Sequence, residues 1–193
     1  MNTIKPEQAD AIGEIANICT GNAATVLSLI LNHPTNITTP FVEILENEES
    51  LARGDNILIK VPYTKGLDGT NLMILKERDA LVIANLMMGG NGKDISNLSI
   101  DELTLSAISE AMNQMCGTIA TSMASLLGRP TDIGTPMINS RYQSTFEIPE
   151  ELCNGTDIVK VTLRITVGDL IDSDLMQLYP LSIVKQILKQ EEI

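Results

Sequence analysis

The chain has 193 residues, 44% of them hydrophobic but only 3% aromatic, and carries 13 basic against 25 acidic side chains for a net charge of −12. That length fits one domain or two intimately packed halves, with a core that must be built from Ile, Leu, Val, Met and Ala. The charge balance argues against nucleic acid or an anionic membrane as partner, since both need clustered Lys and Arg.

Residues 6–31 predict a helix, opened by Pro6, Glu7 and Asp10 and stopped by Asn32-His33-Pro34. Its apolar stripe reads Ile12, Ile15, Ala16, Cys19, Ala23, Val26 and Ile30. An extended segment at 37–45 follows, then strands at 56–62 and 70–76 around the turn YTKGLDG. Residues 76–88 predict a second helix. The stretch Gly89-Gly90-Asn91-Gly92 lacks the GK[ST] ending of a phosphate loop and follows a helix, so it reads as a linker between halves. A second long helix starts at Asp101-Glu102 and ends at Gly128 and Pro130, with a stripe of Ile108, Ala111, Met112, Met115, Ile119, Ser122 and Leu126. Extended chain at 133–138, strands at 158–167 and 174–180 and a short helix at 180–190 complete the chain. IKV at 59–61 and VKV at 159–161 read as one strand seen twice.

The second half repeats the first. Residues 10–40 align without a gap with 106–136, and 13 of the 31 positions are identical, where composition alone would give roughly two. The expected architecture is therefore α/β (α+β): a pseudo-two-fold duplicated fold over 1–193. Its halves, about 5–92 and 100–193, would share one β-sheet that carries two long motif-bearing helices and two shorter ones. Cys19, Cys116 and Cys153 are odd in number and lack CxxC spacing. Cys19 aligns with Met115, which makes it a small apolar filler in a cytosolic protein. The lone His33 builds neither a zinc site nor a triad. No apolar run approaches the 18 to 20 residues of a transmembrane helix, and no signal peptide opens the chain.

Within the repeat, Asp10, Glu14, Asn17 and Gly21 form one helical stripe opposite the apolar one, and Ser106, Glu110, Asn113 and Gly117 form its copy. Glu on an exposed face is commonplace and Gly can serve close packing alone. Asn in mid-helix competes with the backbone and has mediocre propensity, so Glu-x-x-Asn kept twice on the solvent face points to function. Neither residue is a nucleophile beside an activating base. A carboxamide both donates and accepts, so it can hold a water in line for attack on a labile phosphoryl group. The carboxylate three residues earlier can grip a cation on a docked partner.

The pattern [Asp/Ser]-x-x-x-Glu-x-x-Asn, 22 residues, then Pro resembles the signature of the CheC/CheX/FliY phosphatase family. It is met by Asp10, Glu14, Asn17 and Pro40 and again by Ser106, Glu110, Asn113 and Pro136. The resemblance covers the whole chain. It implies hydrolysis of the aspartyl-phosphate of the response regulator CheY, with no cofactor or metal of the chain's own and Mg²⁺ held by CheY. In the family, Glu pairs with a CheY lysine and Asn orients the water. The second motif is similar to the FliY branch more than to CheC. That implies a cytoplasmic protein at the flagellar basal body, with FliM, FliG and FliN-like switch proteins as further partners. FliY continues into a FliN-like domain, so the expectation is the catalytic core of a longer protein. The rival readings are a free CheC-type phosphatase acting with CheD, and a non-catalytic scaffold like the FliM middle domain.

Overall fold

The computed structural model describes residues 4–45, 55–139 and 157–188. Cys153 and the expected last turn at 189–190 lie outside the described residues. Helix α1 spans Pro6–Leu31, where Pro6 occupies the first helical position and the Gln8 side chain accepts from the Lys5 N–H at 3.0 Å. Asn32 ends it with a left-handed turn at φ 51°. Strands β1 (Thr35–Leu45), β2 (Asn56–Lys65) and β3 (Gly69–Lys76) follow, then α2 (Glu77–Met87). The second half runs α3 (Glu102–Leu127), the short β4 (Asp132–Ile133) and β5 (Met137–Asn139), β6 (Ile158–Val167), β7 (Ile171–Pro180) and α4 (Leu181–Leu188).

All seven strands form one antiparallel sheet in the order β1-β6-β7-β3-β2-β4, with β5 also on β2. The hairpins β2–β3 and β6–β7 meet at its centre, where Ile74 pairs with Met176. Each half then lends its first strand to the other: β1 pairs with β6, and β4 and β5 pair with β2. Phe41 pairs with Thr162, and its counterpart Met137 pairs with Lys60. Lys60 therefore corresponds to Thr162. The match of IKV at 59–61 with VKV at 159–161 names the right pair of strands but misses their register by two residues.

The main core lies between the sheet and the helices, where Ile12, Leu27, Ile59, Ile108, Met115 and Leu163 are all buried. The apolar stripes differ from expectation mainly toward the helix ends, although Ile15 near the start of α1 is already only half-buried. Val26 and Ile30 are only half-buried and Leu126 is 45% exposed, while Leu27, Leu31, Met123 and Leu127 are buried in their place. Residues spaced by seven fall about 20° short of two full turns, so over the two such steps from Ile12 to Val26 or from Ala16 to Ile30 the line has rotated by about 40°. Over an 18-residue window α1 also reaches a mean hydropathy of 1.3, which by length and composition alone suffices to cross a membrane. The expectation that no run would do so is corrected. The apolar side of α1 faces the same core, and ten of its residues are buried there.

Cys19 and Cys116 are free and buried, and desolvation pushes both thiols up to about 12, which fits filler rather than chemistry. Asp101 caps α3, its Oδ1 accepting from the Thr104 N–H at 2.8 Å, and this bond lowers its pKa below the ordinary 3.8. A lowered carboxylate pKa stabilises the fold above the ordinary value, and that contribution is lost as pH falls through the lowered one. Asp101→Ala is therefore expected to lower Tm at pH 7 more than Asp101→Asn, which keeps a cap acceptor. The gap from the parent should narrow as the melts are carried to pH values below the ordinary 3.8.

Candidate active site

The outward face of α1 is set by what packs beneath it. A methyl group on Gly13 would collide with the Val42 side chain, so α1 sits close on β1 along that line. At about 100° per residue the motif stripe lies roughly 70° round the helix from Gly13, opposite the buried stripe of Ile12, Ala16, Cys19 and Ala23: Asp10 and Glu14 are exposed and Asn17 and Gly21 are half-buried. On α3, Ser106, Glu110, Asn113 and Gly117 are all exposed. The two helices lie against each other beyond the motifs, where Asn22 Nδ2 donates to Ser122 Oγ at 3.0 Å. Ser122, the one polar member of its predicted apolar stripe, thus serves the helix–helix contact.

Glu110, Asn113 and Gly117 line an open groove of about 400 Å³ together with Gln114, Thr118 and Thr121. Gln114 Nε2 donates to Glu110 Oε1 at 2.8 Å. The Thr118 and Thr121 hydroxyls donate to the carbonyls of Gln114 and Gly117 at 3.2 and 3.0 Å. Their remaining lone pairs can still accept from a ligand in the groove. The first copy differs at two of these places, with Ile18 for Gln114 and Asn22 for Thr118. Ile18 is 37% exposed and offers no hydrogen bond to Glu14. Thr118 and Thr121 went unnoticed in the sequence, although they extend the stripe by the same spacing of three and four residues.

Among the described residues, the motif glycines are not packing devices. A Cβ on Gly117 would meet nothing within 4 Å, and one on Gly21 only the Ile37 carbonyl at 3.7 Å, an ordinary contact. Glycine in a helix interior costs about 1 kcal/mol relative to alanine, and no contact among the described residues offsets that cost. What the glycine does leave is bare backbone one turn from each Asn, open to close approach by another molecule.

Pro40 and Pro136 lie below this surface, half-buried and buried. β1 shifts register between Thr38 and Phe41, and the equivalent chain in the second half breaks between β4 and β5. Proline has no N–H to give the ladder, so each motif proline marks a break in pairing next to the motif helix. Among the described residues, no group of three or more His, Cys, Asp or Glu is arranged to hold a metal ion.

The CheC-like family model matches residues 7–44 and 103–140, the two motif helices with the segments that follow them. The flagellar motor switch phosphatase FliY of Bacillus subtilis (strain 168) is 41% identical over 187 residues, covering 94% of this chain and 48% of that protein. The CheY-P phosphatase CheC of the same organism is 27% identical over 130 residues, covering 65% of this chain and 62% of that one. The chain thus spans about half the length of the first of these relatives and under two thirds of the second. The crystal structure of Thermotoga maritima FliY superposes with a TM-score of 0.83 at 36% identity and covers 96% of both chains.

Proposed function

The chain belongs to the CheC-like family, and on that premise we propose that it is a phosphatase for the aspartyl-phosphate of CheY, working at the flagellar motor switch. The observation that carries the reading is the double one: two Glu-x-x-Asn pairs stand on the outer faces of neighbouring helices, each with a bare glycine one turn on. Glu14 and Glu110 take the ammonium of a lysine on the docked regulator. Asn17 and Asn113 then reach the partner's phosphoryl group, and each carboxamide holds one water in line with the P–O bond to be broken. Water oxygen bonds to phosphorus, the aspartate carboxylate leaves with the bonding pair, and the water's proton passes to the phosphate or to solvent. The Mg²⁺ this chemistry needs would be held by the regulator, and there it would supply neutralisation of the developing charge.

The working place follows from the same reading: the cytoplasmic side of the flagellar basal body, beside FliM, FliG and FliN-like proteins. The names of the FliY and CheC relatives support the phosphatase and switch assignments. The test is the decay of phosphorylated CheY in Mg²⁺ with and without the chain. Acceleration is expected at substoichiometric amounts, and protein treated with EDTA and then desalted should keep it in full. No acceleration would leave a CheY-binding or switch-scaffold module. Acceleration lost after EDTA and restored by zinc would place a metal on this chain instead.

A further inference from the structure

The two motif copies share every residue assigned to the chemistry yet differ in what holds the carboxylate. In the second copy, Glu110 Oε1 accepts the Gln114 amide at 2.8 Å, on a stretch of helix that lines a shallow open groove. In the first copy that neighbour is Ile18, a side chain with no donor or acceptor. Gln114 is exposed and belongs to no core cluster, so packing does not account for it. A Glu side chain has three rotatable bonds, and ordering it when a partner docks costs free energy each time. A donor four residues along the helix orders it beforehand. With one oxygen engaged, the other remains to take a cation.

From this geometry we infer that Gln114 is a positioning residue: it presents Glu110 pre-ordered to the partner's cation, so the second site docks the regulator more tightly than the first. The inference rests on the phosphatase reading and adds an order of affinity between the two sites. Because Gln114 acts on docking and does not touch the attacking water, it should enter KM and leave kcat alone.

The experiment uses the chain carrying Asn17→Ala, so that turnover comes from the second site, with CheY phosphorylated by acetyl phosphate as substrate. Adding Gln114→Ala, or Gln114→Ile to match the first copy, should raise KM roughly three- to tenfold and change kcat by less than about twofold. The reciprocal chain, Asn113→Ala with Ile18→Gln, should lower KM relative to Asn113→Ala alone. Either an unchanged KM for Gln114→Ala or a fall in kcat at constant KM overturns the inference. The chain with both Asn17→Ala and Asn113→Ala serves as reference. If it still turns over like the parent, the assignment of the chemistry to the two Glu-x-x-Asn sites fails, and if the parent shows no acceleration the phosphatase reading itself fails. If it is inactive while Gln114→Ala keeps the parent KM, only the role of Gln114 is lost.

Discussion

Replacing Asn17 and Asn113 together by Ala is expected to abolish the acceleration of CheY-phosphate decay, a loss of about a hundredfold or more if the Asn side chains position the water. Either replacement alone should leave part of the activity, because both motifs are complete and both stripes face outward. The fold should not suffer. Alanine is the better helix former by roughly 0.5 kcal/mol, Asn113 is exposed, and no hydrogen bond from either Asn side chain to the rest of the chain is seen among the described residues. Thermal melts of the double variant should therefore match or exceed the parent, which separates lost chemistry from lost structure. Normal turnover in the double variant would take the chemistry away from Asn17 and Asn113 and place it elsewhere on the chain. Complete loss from one single variant would make the other motif a relic of the duplication. Partial losses of unequal size are the expected pattern, since Ile18 and Gln114 give the two sites different surroundings.

Much of this was legible in the residues themselves. Pro6 and Asn32 bound α1, and Asp101 and Gly128 bound α3, because caps and stops act within one turn and leave a local signature. The Glu-x-x-Asn stripe was legible because helical spacing alone puts those side chains on one face, and its repetition showed which polar residues the duplication retained. Strand pairing was not legible. Nothing local in Thr35–Leu45 says that it joins β6 of the other half rather than β2 of its own, since pairing is chosen by packing over long separations. The buried polar links were hidden for the same reason. Thr20, buried on the core face of α1, accepts from Gln177 Nε2 at 3.3 Å, and Gln177 accepts from Tyr179 at 2.6 Å, a link between residues more than 150 positions apart. The stripes were legible only where they begin, because a seven-residue spacing and a 3.6-residue turn part company along 26 residues.

The exchange of strands also ties each hairpin to the end of a motif helix, and that contact carries the largest stability effect expected. Gly66, in the β2–β3 turn, has φ +81°, and a Cβ there would strike the Pro130 carbonyl oxygen and lie 2.9 Å from Thr131 Oγ1 and 3.1 Å from Thr131 Cα. Pro130 and Thr131 are the chain leaving α3. In the other half, Gly168 N–H donates to the Pro34 carbonyl at 2.8 Å just beyond α1, so both hairpin turns dock on the prolines that follow the motif helices. Gly66→Ala must bear both a left-handed backbone, about 1–2 kcal/mol, and a collision with main chain that no rotamer change relieves, about 1–3 kcal/mol. We expect a loss of about 3 kcal/mol, or roughly 10 °C in Tm for a chain of this size. Gly128→Ala is the matched control. Gly128 is also left-handed, at φ +60°, but nothing lies within 4 Å of its Cβ, so only the backbone cost of about 1 kcal/mol remains. Urea melts of the two variants decide the matter, and the m value should stay at that of the parent. If Gly66→Ala cost no more than Gly128→Ala, the turn would not be clamped on the end of α3, and the second motif helix would owe its position to the sheet alone.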